Sequence, residues 1–255
     1  MPEYRPRKTL FNPELRRRGI YILPNLFTTA ALFSGFFAIV QAMNDKFEAA
    51  AVAIFIAMLF DGLDGRVARL TRTQSAFGAE YDSLSDMVSF GAAPALVIYE
   101  WALKDLGKLG WIAAFIFCVG AALRLARFNT NIGVVDKRYF QGLPSPAAAA
   151  LVAGLVWVLI DFEWNGSEAR WYAFVLTLFA GVSMVTSLRY YSGKDINLRK
   201  SVPFIIVVAI ALGFALVSTH PPGVLFPLFL AYALSGYVIA AVDRFDRRKK
   251  LARPE

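Results

Sequence analysis

Of the 255 residues one is cysteine and one is histidine, and only 18% carry charge. A single thiol, Cys118, closes no disulfide framework and builds no cysteine metal site. It sits in an apolar run, where its plain reading is a small buried or lipid-facing side chain. The one histidine, His220, stands beside Pro221 and Pro222, away from the other chemistry-bearing residues. No serine–histidine triad or cysteine nucleophile is present, which favours direct displacement over a covalent intermediate. Internal repeats, low-complexity tracts and a boundary for a second folded domain are missing too. The shortage of charge excludes an ordinary soluble domain, which runs nearer 25% charged and 45–50% apolar. Here 57% of residues are hydrophobic, 22 are Phe and the mean hydropathy is +0.50. These values specify an all-α integral membrane protein. A net charge of +8 could suggest nucleic acid, but the basic residues are spread loop by loop and not gathered on one domain, so no nucleic-acid partner is expected.

What is present is a succession of apolar runs. Residues 1–22 are basic and contain Arg16-Arg17-Arg18, a composition suited to an interfacial arm against anionic headgroups. The following run, Gly19 to Asn44, has no charge over 26 residues, too long for a signal peptide and long enough to span. Eight spanning helices are predicted, at roughly 24–43, 47–69, 83–103, 109–128, 145–163, 170–188, 202–218 and 224–242. His220-Pro221-Pro222-Gly223 divides the last long run in two. Residues 23–243 then form the transmembrane domain and 244–255 a charged tail. All but four of the 27 Lys and Arg residues fall on one side; the exceptions are Lys46, Lys104, Lys108 and Arg170. The positive-inside rule makes that side cytoplasmic, with both termini on it. The expected location is the cell (inner) membrane, multi-pass, in contact with the phospholipid bilayer.

The organising stretch lies between the second and third apolar runs. Asp61 and Asp64 stand at i,i+3 and Asp82 and Asp86 at i,i+4, so each pair shares a helical face. Acids in a membrane helix are costly, about 2.5–3.5 kcal/mol each at mid-bilayer, and they repel one another. A bound divalent cation relieves both penalties, and hard metals prefer carboxylate oxygens. Gly65, Ala68 and Gly78 are small enough to let a ligand approach the backbone. The bland alternative is helix capping and ion pairing with Arg66, Arg69 and Arg72.

The pattern Asp61-x2-Asp64-Gly65-x2-Ala68-Arg69-x8-Gly78-x3-Asp82-x3-Asp86 resembles the signature of the CDP-alcohol phosphotransferase family at every fixed position. The resemblance implies two divalent ions, Mg²⁺ or Mn²⁺, held by Asp61, Asp64 and Asp82, with Asp61 and Asp82 shared. Asp86 would complete the second site and act as general base on an incoming hydroxyl. A nucleotide-binding group of Asn25, Thr28, Asp61, Gly65, Ala68, Arg69, Ser75, Gly78 and Asp82 follows in the same way, Arg69 holding the diphosphate. Pro24-Asn25-Leu-Phe-Thr28 at the start of the first helix is similar to the family's own start.

Further motifs resemble the phosphatidylserine synthase branch, which takes CDP-diacylglycerol and L-serine and releases CMP. They are Arg124-x2-Arg127-Phe-Asn129, Phe140-x-Gly142-Leu-Pro144-x-Pro146 and Ser187-x-Arg189-Tyr190. By that resemblance Arg124, Arg127, Asn129, Arg189 and Tyr190 are candidates for holding serine or the lipid phosphate. A serine carboxylate wants guanidinium donors, and acyl chains can leave sideways between helices. A phosphatidylglycerophosphate or phosphatidylinositol-phosphate synthase is the alternative within the family. An ion-coupled transporter is the alternative outside it, although its ionisable groups should cross the membrane rather than cluster at one face. A homodimer is a candidate assembly.

Overall fold

The computed structural model describes residues 13–130, 139–192 and 204–251. The basic stretch 1–12, the beginning of the seventh apolar segment at 202–203 and the tail end 252–255 lie outside the described residues. Nearly everything described is helical. Helix α1 spans Pro13–Met43, so the helix begins inside the stretch that sequence marks as an arm, and α2 spans Phe47–Thr71. A continuous winding then runs from Ala76 to Leu106, in five pieces. It comprises α3 (Ala76–Asp86), a π-turn (Met87–Ala92), α4 (Ala93–Ile98), a second π-turn (Tyr99–Leu103) and a short 3₁₀ turn (Lys104–Leu106). After it come α5 (Lys108–Thr130), α6 (Ser145–Asp161), α7 (Gly166–Val185), α8 (Phe204–Thr219) and α9 (Pro221–Leu251). Sequence treats 83–103 as one uniform helix; Pro94 explains why it is not. Proline has no N–H to give the preceding turn, and the π-turn just upstream of α4 absorbs that gap.

Small residues decide how the helices meet. Ala31, Ala38 and Ala42 of α1 and Ala50, Ala53 and Ala57 of α2 are all buried, which lets these two helices approach along their length. Helices α5 and α7 touch through Gly120 and Gly181, where a Cβ on Gly120 would strike the Gly181 carbonyl. Serines fasten α3 and the π-turn after it to α1: Ser85 Oγ donates to the Thr28 carbonyl (3.1 Å) and Ser89 Oγ to that of Ala31 (3.0 Å). Twelve of the 17 residues of α6 are buried, which makes it the central helix, against α2, α7 and α9.

The outer surface is apolar. Phe33 of α1 is 66% exposed and Phe214 of α8 71%, with Trp111, Phe115 and Val175 exposed on α5 and α7. Such a surface suits lipid and not water. Among the described residues three helices, Leu23–Met43, Lys108–Thr130 and Pro221–Phe245, are long and apolar enough to cross a membrane, and Ser145–Asp161 is a shorter apolar helix. The chain is a helical membrane protein.

One departure from an all-helical fold bears on the site. Strand β1 (Tyr139–Gln141) pairs antiparallel with β2 (Arg189–Tyr191), Phe140 opposite Tyr190. Gly142, at φ +77°, turns the chain from β1 toward α6, and a Cβ there would run into the Met184 carbonyl. Gly142 N–H donates to Leu188 (2.8 Å) and Leu143 N–H to Ser183 (3.0 Å). The N-terminus of α6 is thereby tied to the C-terminus of α7.

Candidate active site

The turn between α2 and α3 is short, and that brings the four aspartates together. Arg72 caps α2 in the left-handed conformation (φ +54°), its N–H returning to the Ala68 carbonyl. Ser75 then caps α3, its Oγ accepting from Gly78 N–H at 3.0 Å. With the helices side by side, one carboxylate oxygen from each of Asp61, Asp64 and Asp82 lies within 4.8 Å of the others. The Asp86 carboxyl, one turn beyond Asp82, reaches that of Asp61.

Three charges at this spacing oppose one another by about 3.5 kcal/mol per pair at an effective dielectric near 20. The Arg69 charge offsets part of this at Asp64. Among the described residues the salt bridges are Lys104–Glu100 and His220–Asp161, and Arg66, Arg69 and Arg72 form none with the acids. Asp82 Oδ1 is buried without a hydrogen-bond partner. Thr28, itself buried, donates from Oγ1 to Asp64 Oδ2 at 2.8 Å and so fixes that carboxylate's orientation. An all-oxygen donor set with one orphaned oxygen fits a hard divalent cation.

Beside the acids opens a cleft of about 280 Å³. Asn25, Thr28, Gly65, Ala68, Arg69, Ser75, Gly78 and Asp82 line it, eight of the nine residues that sequence assigns to the nucleotide; Asp61 does not. Thr73, Gln74 and Ala79 also line it, and sequence reasoning missed them. Their signal was only adjacency, since they fill the spacer between fixed motif positions. Gly78 has a local reason to be glycine as well: a Cβ would lie 3.0 Å from Ser75 Oγ and 3.5 Å from Asn25 Oδ1.

The residues grouped by sequence around the acceptor fall in several places. Arg124, toward the end of α5, donates from Nη1 to Ser145 Oγ at 2.9 Å, its Nε is buried with no partner, and the group senses Asp86 and Tyr232. Arg127 donates to the Thr186 carbonyl (3.3 Å) and Asn129 Nδ2 to Ser83 Oγ (2.9 Å), joining α5 to α7 and to α3. The Arg189 side chain is exposed on β2. Tyr190 is fully buried, its hydroxyl donating to the Ala233 carbonyl (3.1 Å) and its ring lying over Gly236, so its contacts are with α9. Burial, reinforced by Tyr237 and Tyr232, holds the Tyr190 phenol above its ordinary pKa, and it stays neutral. Ser145 and Tyr232 were not singled out by sequence, because each reaches Arg124 only through tertiary folding.

His220 stands away from all of this. Its Nδ1 accepts from Gly223 N–H (2.9 Å) and its Nε2 meets Asp161 Oδ2 (2.7 Å), pinning the α8–α9 turn to the end of α6.

Comparison with known proteins places the chain among related sequences. The profile of the CDP-alcohol phosphatidyltransferase family matches residues 21–185. A CDP-diacylglycerol–serine O-phosphatidyltransferase of Helicobacter pylori (strain J99) is 34% identical over 237 residues, 91% of this chain and 98% of that protein. The protein of the same name from Methanocaldococcus jannaschii is 37% identical over 187 residues, 72% and 81% of the two chains. One from Mycobacterium leprae is 30% identical over 226 residues, 86% and 75%.

Proposed function

The chain belongs to the CDP-alcohol phosphatidyltransferase family, and from that premise we propose that it transfers the phosphatidyl group of CDP-diacylglycerol to L-serine. The observation that carries the reading is the convergence of Asp61, Asp64 and Asp82 within 4.8 Å at the edge of a cleft lined by the nucleotide residues. The names of these relatives supply serine as the acceptor.

Asp61, Asp64 and Asp82 would hold two divalent cations, Mg²⁺ or Mn²⁺, with Asp61 and Asp82 shared and Asp86 completing the second site. When bound, such ions neutralise the diphosphate and stabilise the attacking and leaving oxygens. Thr28 keeps the Asp64 carboxylate in one orientation for that task. Arg69 at the cleft holds the diphosphate, while Asn25, Gly65, Ala68, Ser75 and Gly78 admit the cytidine. Asp86 takes the proton from the serine hydroxyl. The serine Oγ then forms a bond to the phosphorus that carries diacylglycerol, the bond from that phosphorus to the CMP oxygen breaks, and CMP leaves with the electron pair. Placing an alcohol against a base in this way is worth about 10²–10⁴-fold. Arg124, with Arg127, Asn129 and Arg189, holds the serine carboxylate or the lipid phosphate.

The proposal includes the topology. Residues 23–243 form the catalytic domain with eight helices across the cell (inner) membrane, between the arm 1–22 and the tail 244–255. Both termini and the cleft face the cytoplasm, where serine and the nucleotide are dissolved. In support, the cleft gathers the middle of α1, the end of α2 and the start of α3. A second cavity, lined by Asp45–Ala49 and Glu163–Gly166, gathers turns from the opposite end of the bundle.

Purified protein given CDP-diacylglycerol and a divalent ion should release CMP when L-serine is added. It should not do so with glycerol 3-phosphate, inositol or inositol phosphate. CMP release with glycerol 3-phosphate and not with serine would overturn the acceptor and leave the phosphotransfer chemistry standing.

A further inference from the structure

The geometry points to Ser145 as a positioning residue of the acceptor site, acting through Arg124. This rests on the reading that Arg124 holds the acceptor's carboxylate. Ser145 is the first residue of α6, is fully buried, and receives the Arg124 Nη1 hydrogen bond at 2.9 Å. Its place is not left to side-chain freedom. The β1–β2 pair, the left-handed Gly142 and the hydrogen bonds of Gly142 and Leu143 to Leu188 and Ser183 fix the chain just ahead of it. Pro144 and Pro146 stiffen the backbone on either side.

A guanidinium is a planar fork with five donors, and seating one edge dictates where the others point. Ser145 occupies Nη1, whereas Nε is buried and has no acceptor. A buried donor left unsatisfied by its own protein is uncommon and needs a reason. Arg124 lies near enough to Asp86 for the two charges to interact. A small carboxylate held by the rest of that fork would have its hydroxyl directed toward Asp86. Without the Ser145 oxygen the arginine keeps its charge and loses its aim, so acceptor capture weakens while the nucleotide end of the site is untouched.

The test is steady-state kinetics on detergent-solubilised protein with L-serine and CDP-diacylglycerol varied in turn. Ser145→Ala and the near-isosteric Ser145→Cys should each raise the KM for serine about tenfold, the order expected for a hydrogen bond to a charged group. The KM for CDP-diacylglycerol and the divalent-ion requirement should stay within twofold. Ser145→Thr, which keeps the hydroxyl, should recover most of the serine affinity. Adding Ser145→Ala to Arg124→Lys should raise the serine KM no further than Arg124→Lys alone, because the two residues act as one unit. If Arg124→Ala raises the serine KM and Ser145→Ala and Ser145→Cys do not, the positioning role is refuted and the acceptor reading of Arg124 stands. If Arg124→Ala leaves the serine KM unchanged, the acceptor reading itself has failed and Ser145 falls with it. Equal losses for both substrates in the Ala and Cys variants would show a general packing role and refute positioning.

Discussion

Thr28 makes a sensitive probe of the metal assignment, because it touches a proposed ligand without being one. Its Oγ1 lies 2.8 Å from Asp64 Oδ2 and 3.2 Å from the Pro24 carbonyl. A hydroxyl has one proton, and the shorter contact to the acid is the one that secures it. Thr28→Val keeps shape and volume and removes that donor. Thr28 is 3% exposed, so little water reaches it to replace the lost bond. Hydrogen bonds to charged groups contribute about 1.5–3 kcal/mol, and groups that orient a metal ligand are worth about 10–100-fold in metal affinity. The two figures agree on a loss of ten- to a hundred-fold in Mn²⁺ affinity. Thr28→Ser should lose little. The measurement is direct: Mn²⁺ binding to the solubilised protein, by calorimetry or by electron paramagnetic resonance of the free ion, beside a Mn²⁺ titration of CMP release. At saturating Mn²⁺ the Val variant should regain most of its turnover. Were Thr28→Val to bind Mn²⁺ within twofold of the parent, Asp64 would not be a ligand whose orientation matters, and the assignment of that carboxylate would be refuted.

Asn at Asp61, Asp64 or Asp82 should abolish turnover and the divalent-ion dependence of CDP-diacylglycerol binding; near-parental CMP release from any of the three contradicts the metal set. Asp86→Asn should still bind CDP-diacylglycerol while the chemical step falls by about 10²–10⁴-fold, and a loss of only a few-fold removes Asp86 as the base. Gly120→Val should depress the thermal unfolding midpoint in detergent sharply, since a Cβ there meets the Gly181 carbonyl; an unchanged midpoint would mean that α5 and α7 do not pack through these glycines. For topology, single cysteines in a Cys118→Ser background at Gln74 and Ser167 should label from the cytoplasmic and the outer side respectively, and the reverse pattern contradicts the orientation. Ser167 suits this purpose better than Gly166, where any side chain would collide with the Trp101 carbonyl.

What sequence made legible was local chemistry at fixed spacing. The four aspartates needed only two helical faces and a short turn, and the cleft residues came with them because they occupy the same two helices. The apolar runs located most helices, although α3 starts at Ala76, ahead of its run, and His220-Pro221-Pro222-Gly223 located the break between α8 and α9. Contacts between distant elements were not legible. Ser75 reads only as a nucleotide-binding group, and its hydrogen bond to Gly78 shows that it also caps α3. Tyr190 sits in a motif rich in polar groups, yet its ring is set by Gly236, 46 positions later. The β1–β2 pair consists of two three-residue strands separated by two helices, too short for any alternation of side chains to announce it. Asn129 meets Ser83 across 46 residues, and no periodicity within either segment encodes such a meeting.

The π-turn that begins directly after Asp86 separates two phases of one helix. A π-turn holds one residue more than an α-turn, so everything beyond it is rotated by about 100° relative to an uninterrupted helix. Upstream, Asp82 and Asp86 keep a common heading, locked by the Ser85 bond to α1. Downstream, Val97 and Ile98 find the interior on a bearing of their own. The two stretches can therefore change independently. The segment from Ala93 to Leu103 can be re-cut to fit a different neighbour or a different thickness of lipid while the acids hold their aim. Removing a single residue from the π-turn would let the helix close into regular winding, and would swing the carboxylates off the cleft without altering one of them.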